Sequence, residues 1–240
     1  MGGDDELYFN KEGMTHPLVI LTYIIGAGEL LLAMYFLKTN SGVTIRKVMS
    51  LLCASTGAWV VTSAFVAYKP NSILVDTIGN FVFFGGLMLL TTLVWLVFIY
   101  PNPIVRFDAL HVILLYVPVA IFTVILFTTK TILAGTIADA NSVGVTIPGP
   151  VYWIYNAYHL VLYTVAVSVL IFKSQRYSGY NKRNILIILA ALILGGLPGV
   201  FLDLIAPFFN LYNVNYLYGN LASVFWLGGV TYILISKSDV

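Results

Sequence analysis

The sequence predicts an all-α integral membrane protein: a bundle of seven transmembrane helices with its N-terminus outside and its C-terminus in the cytosol. Three observations carry that fold class. Across 240 residues the chain is 60% hydrophobic and only 9% charged, where a soluble domain carries about 25% charged residues. Its apolar residues fall into seven runs close to the roughly 20 residues that a helix needs to cross about 30 Å of hydrocarbon. The runs are continuously apolar, without the alternation of a barrel strand, so the backbone must be satisfied within helices.

The first run spans residues 18–37. It is too long for a signal peptide, has no basic flank ahead of it and lacks a small-residue cleavage site before a soluble domain. The segment before it, 1–17, is expected to be extracellular; residues 1–13 are read as disordered or foreign to the native chain, with Met14 an alternative start. Runs two, three and four cover 48–68, 77–100 and 109–127. Run four opens beside Asp108 and His111, read as solvated or snorkelling groups, and Pro118 removes the hydrogen bond to its Leu114 carbonyl. Between runs four and five, Thr131-Ile132-Leu133 and Val143-Gly144-Val145-Thr146-Ile147 flank the turn-forming Asp139-Ala140-Asn141-Ser142. This pattern predicts an extracellular β-hairpin over the outer mouth, with a disordered loop as the alternative.

Run five covers 151–172, run six 185–206 and run seven 214–235. Pro198 interrupts run six at the Leu194 carbonyl. With Gly195 and Gly199 in small-xxx-small spacing it marks either a signalling hinge or a tight helix contact. Gly85-Gly86 and Gly228-Gly229 permit the same close approach. The short connections and the absence of repeats make 18–235 one domain, followed by a cytosolic tail, 236–240.

Orientation follows from Lys and Arg, which accumulate in cytoplasmic loops. Lys38, Arg46, Lys47, Arg106, Lys173, Arg176, Lys182, Arg183 and Lys237 fall on one side, and only Lys11, Lys69 and Lys130 on the other. The basic side is therefore the cytosol, and the location is the cell inner (plasma) membrane, crossed many times.

Polar residues inside spans are costly and mark function. At 1.5 Å per residue, Glu29 lies about 17 Å below the outer face, His159 about 12 Å and Asp203 about 5 Å. Glu29 and His159 are thus close enough in depth to pair if spans one and five meet. In span five Tyr152, Asn156, His159 and Tyr163 recur at intervals of about 3.6 residues and form one stripe that lipid would reject. Asn80, Asp203 and Asn220 enter at similar depth from spans three, six and seven. These eight residues, Glu29, Asn80, Tyr152, Asn156, His159, Tyr163, Asp203 and Asn220, are the candidate ligand-binding set. The competing reading makes the ionisable groups structural, bonded to backbone or tyrosine hydroxyls, and Tyr152 an interfacial belt residue.

Several chemistries are excluded. The net charge of +2 without a polybasic block argues against nucleic acid, and the single Cys53 against a disulfide scaffold. Span seven has no Lys for a retinal Schiff base. Three isolated His give no metal motif, and neither a P-loop nor a nucleophile elbow is present. The chain is therefore expected not to be an enzyme and to need no cofactor and no metal.

Short motifs point to a family. Gly149-Pro150-Val151-Tyr152 opens span five, a basic loop Ser178-Gly179-Tyr180-Asn181-Lys182-Arg183 precedes span six, Tyr218-Gly219-Asn220 opens span seven and Tyr232-Ile233-Leu234-Ile235-Ser236-Lys237 closes it. With the seven-span topology, these resemble the N-terminal seven-transmembrane sensor region of bacterial histidine kinases. The chain departs from the family pattern at Asn184-Ile185, where a Gln often follows the basic pair, and at Ile233 and Ser238, which replace an Ala and a Tyr. The resemblance implies a sensor acting as a homodimer, with a histidine-kinase output domain or separate cytosolic effector outside this chain, and it carries over no catalytic residue.

The expected function is a receptor that binds a small or amphiphilic ligand from outside or from the bilayer and moves span six or seven. The alternatives are a proton-coupled transporter using Glu29, His159 and Asp203, and a ligand-free membrane scaffold.

Overall fold

A computed structural model describes residues 5–38, 44–68, 73–103, 108–138 and 144–201, with positions 220, 223–225, 228–229 and 231–232; side chains are described from residue 17, apart from 137–138 and 144–146. The elements run α1 (Asp5–Lys38), α2 (Thr44–Tyr68), α3 (Val75–Ile99), α4 (Ala109–Thr128), β1 (Leu133–Ala138), β2 (Gly144–Pro148), α5 (Tyr152–Arg176) and α6 (Gly179–Gly199). Six helices among the described residues are long and apolar enough to cross a membrane. The described positions of the seventh run are all helical.

Two boundaries differ from the sequence reading. Helix α1 starts at Asp5, so the polar segment before the first run continues the helix through Pro17. Basic residues 182–183, expected in a loop, lie in the opening turns of α6, leaving only Tyr177 and Ser178 between α5 and α6. A hydropathy pattern marks where the hydrocarbon ends, whereas a helix continues into the interface as long as its side chains can reach water.

Helix α3 is central, packing against α2, α4, α5 and β1. The main core runs between the helices through Phe36 of α1, Leu52 of α2, Leu93 and Leu96 of α3, Leu170 of α5 and Ile188 of α6. Lipid tails are as apolar as these side chains, so close backbone approach and interhelical hydrogen bonds decide which helices meet. Helices α1 and α2 cross at Gly26 and Gly57, where a Cβ on Gly57 would lie 2.9 Å from the Gly26 carbonyl oxygen. Nearby, Ser50 of α2 donates to the Ala33 carbonyl at 2.8 Å. Helix α4 is peripheral, with Ile113, Leu114, Val117, Ile121 and Val124 exposed on a surface suited to lipid.

Strands β1 and β2 pair antiparallel, with Thr136 opposite Thr146 and an irregularity between Leu133 and Gly135. The expected turn residues 139–142 lie outside the described residues. The pair is fastened to the start of α3: the Thr136 amide donates to Asp76 Oδ1 at 2.9 Å, and Lys130 Nζ lies 3.6 Å from Asp76 Oδ2. Ile132 and Leu133 pack beneath it onto Leu87, Val119, Leu126, Tyr152 and Tyr155.

Candidate functional site

The inward face of α5 carries the sequence-predicted stripe. Tyr152, Asn156, His159 and Tyr163 are all buried there, as their helical spacing requires. Tyr155, on the same face, was not singled out although it follows Tyr152 by three residues, the interval that places it on the stripe. It joins the neighbouring helices. Its hydroxyl donates to the Phe83 carbonyl of α3 at 2.5 Å, and its ring lies 5.7 Å from Phe122 of α4.

His159 packs on Tyr155, ring centroids 4.2 Å apart, and its Nδ1 lies 2.9 Å from the Tyr155 carbonyl oxygen. That carbonyl can only accept, so Nδ1 carries a proton and Nε2 is the nitrogen left to meet another group. Nε2 points at Gly86 and Trp59, where a Cβ added to Gly86 would sit 3.9 Å away. Tyr152 lies edge-on to Phe83, an arrangement of interior packing.

Tyr163 links this face to α6. Its hydroxyl donates to the Leu192 carbonyl at 3.2 Å, and its ring occupies the space above Gly196, where a Cβ would come within 2.6 Å of Cε2. Two residues on, Pro198 stands inside the helix just before α6 ends at Gly199. Beyond it lies a π turn at 200–201; the Val200 amide itself is shared between the Gly196 and Leu197 carbonyls, four and three residues back. Gly195 is buried against the bundle and Gly199 half-buried. A proline followed by a π turn is a place where a helix can change direction.

Glu29 belongs to a different neighbourhood. It is buried on α1, and its partner is Ser223 of the seventh run, whose Oγ lies 3.2 Å from Oε1. Asn220 is buried beside it, its backbone oxygen 2.6 Å from the same Oγ. Glu29 and His159 thus have separate partners, one between spans one and seven and one within α5. Asn80 on α3 is half-buried. Asp203 lies outside the described residues, so its expected place in the constellation has no structural counterpart here.

At the end of the bundle away from the strands, Lys173 of α5 is fully buried. Its ammonium donates to the Phe98 and Asn102 carbonyls at 3.0 Å, and also to that of Tyr100. These oxygens cluster at the end of α3, where helical carbonyls run out of partners and a cation is favoured. Asn184 of α6 donates to the Tyr100 hydroxyl at 3.3 Å, so α3, α5 and α6 are tied at one point. Asp108 caps α4, accepting from the His111 amide at 3.2 Å and lying 2.7 Å from His111 Nδ1. These contacts hold the Asp108 carboxyl below its ordinary range. The pair is therefore a helix cap at the solvated boundary of α4, with both side chains exposed as expected.

Among the described residues no cluster of three His, Cys, Asp or Glu is placed to hold a metal ion. Residues 18–235 match the family model described as the N-terminal 7TM region of histidine kinase. No curated protein matches the chain.

Proposed function

The chain belongs to the family formed by the N-terminal seven-transmembrane regions of histidine kinases, and from that premise we propose that it is a sensor for a small or amphiphilic ligand, driving a cytosolic histidine-kinase output. What the family describes is a multi-pass membrane region and not the catalytic part of the kinase. One observation carries the ligand reading: four polar side chains of α5 are turned inward on one face, and the last of them, Tyr163, is bonded to the Leu192 carbonyl of α6 with its ring against Gly196, two residues before the proline. A ligand that meets His159 Nε2 or the Asn156 carboxamide differently in two arrangements of α6 shifts their populations by that difference in affinity.

The strands lie over the α3, α4 and α5 end of this face and close it from outside in the proposed orientation. Lys38, Arg46, Lys47, Lys173, Arg176, Lys182 and Arg183 gather at the other end, which supports a plasma-membrane topology with that end in the cytosol. The Lys173, Tyr100 and Asn184 junction then lies where motion of α6 reaches the output.

The test is a fusion of the chain to a histidine-kinase output with a transcriptional reporter, screened against small and amphiphilic compounds. Replacing both Asn156 and His159 by Leu should abolish the response while membrane expression persists. A response unchanged in that double variant removes the α5 face from the ligand site.

A further inference from the structure

The polar groups between spans one and seven form a second cluster that the α5 face does not use. Glu29 is 4% exposed, Ser223 2% and Asn220 1%. Ser223 Oγ stands between its neighbours, 2.6 Å from the Asn220 carbonyl oxygen and 3.2 Å from Glu29 Oε1. Two buried polar atoms of the cluster, Glu29 Oε2 and Asn220 Nδ2, have no hydrogen-bond partner among the described residues. Unpaired buried groups of this kind are costly, the more so where no water is at hand.

Hydrogen bookkeeping narrows what can satisfy them. A serine hydroxyl has one hydrogen to give. Delivered to the nearer acceptor, the Asn220 carbonyl, it leaves the Glu29 contact to be completed by a proton on the carboxyl itself, and no cation among the described residues pairs with Glu29. A neutral carboxyl then offers Oε2 as an acceptor while Asn220 Nδ2 offers a donor. A cation could bond Oε2 but would face the Asn220 N–H donor, and an anion could accept from Asn220 but would face the lone pairs of Oε2.

We propose that Glu29, Ser223 and Asn220 form a ligand subsite for a neutral group that both donates and accepts a hydrogen bond, a hydroxyl or a carboxamide on an otherwise apolar molecule. This rests on the reading of the bundle as a ligand-binding sensor and names the chemistry that one part of it selects. The apolar remainder follows from the surroundings, since by helical rise the cluster lies about 9 Å (Asn220) to about 17 Å (Glu29) below the outer ends of its spans.

The experiment titrates the full chain in zwitterionic nanodiscs with 1-octanol, octanamide, octylammonium, octanoate and octane, reading tryptophan fluorescence. Octanol, octanamide or both should bind saturably, and the two charged probes and octane should not. Asn220→Leu should weaken that binding about 10-fold, the effect of losing one partner of a buried hydrogen bond; Asn220→Ala replaces it if the larger residue impairs folding. Glu29→Gln, neutral and of the same shape, should stay within about 3-fold of the native chain. Preference for octylammonium or octanoate, indifference to both Asn220 variants, or collapse of binding in a folded Glu29→Gln protein would overturn the proposal. So would the absence of saturable binding by either neutral probe, which leaves the cluster to water. The sensory reading fails separately: a reporter indifferent to every compound, with octanol or octanamide binding intact, removes the sensor and keeps the subsite.

Discussion

At the scale of single residues, the contact between Tyr163 and Gly196 joins the candidate site to α6. A methyl group on Gly196 would stand 2.6 Å from the tyrosine ring, too close without movement of the ring or of the helix. Gly196→Ala is expected to destabilise the chain by about 1–3 kcal/mol, the usual cost of overpacking. Truncating the ring should remove part of that cost, so Gly196→Ala in a Tyr163→Ala background should cost at least about 0.5 kcal/mol less, a coupling that a double-mutant cycle reads directly. Reversible unfolding in mixed micelles measures it, and additive effects would show that the ring yields freely. Lys173 illustrates the limit of reading residues singly. In the sequence it is one more basic residue on the cytosolic side, whereas in the fold it is buried and serves the end of α3. Its role depends on which helix end is its neighbour, and nothing within span five records that.

At the scale of elements, the spans were legible because the bilayer imposes their length, and the α5 stripe because its period is that of a helix. The strands were legible in kind but displaced. β1 extends through Gly135 to Ala138, beyond the β-branched Thr131 and Ile132 that suggested it, because pairing with β2 and the Asp76 bond to the Thr136 amide place the strand. The partner of Glu29 was not legible at all. Depth along a helix can be counted, but the order of helices around the bundle cannot, and the order brings Ser223 rather than His159 to the carboxyl. Helix α4 offers an element-scale prediction at its exposed start. The hydrogen bonds from His111 lower the pKa of Asp108 below its ordinary value of about 3.9. The folded form therefore gains from the cap at and above that ordinary value, and loses the gain as pH falls through the lowered one. Protection of the amides in the first turn of α4, taken relative to their intrinsic exchange rate at each pH, should fall below about pH 4 in the native chain. In Asp108→Asn that acid step should vanish, because asparagine still caps but does not titrate. An acid step of equal size in the variant would assign it to another group.

At the scale of the whole molecule, the distribution of charge and the position of the strands make one joint claim about direction. Apart from Lys11 near the start of α1 and Lys130 beside the strands, the described basic residues gather at the end formed by the α1–α2 and α5–α6 connections, and the strands lie at the other. If the positive-inside rule sets topology here, the strand end faces outward, the ligand enters from outside or from the outer leaflet, and α6 begins in the cytosol. Two exposed positions test this: Thr129, beside the strands, and Ser178, in the turn between α5 and α6. Cys53 is buried and should remain unlabelled. With a membrane-impermeant maleimide on intact cells, Thr129→Cys should react and Ser178→Cys should not until the membrane is opened. The opposite pattern would reverse the topology, turn the strand-covered end towards the cytosol and undo the assignment of an outward ligand site, while leaving the family and the helical packing as they stand. Labelling of both in intact cells would mean mixed insertion, and a sensor inserted both ways could not couple an external ligand to a cytosolic kinase with a single sign.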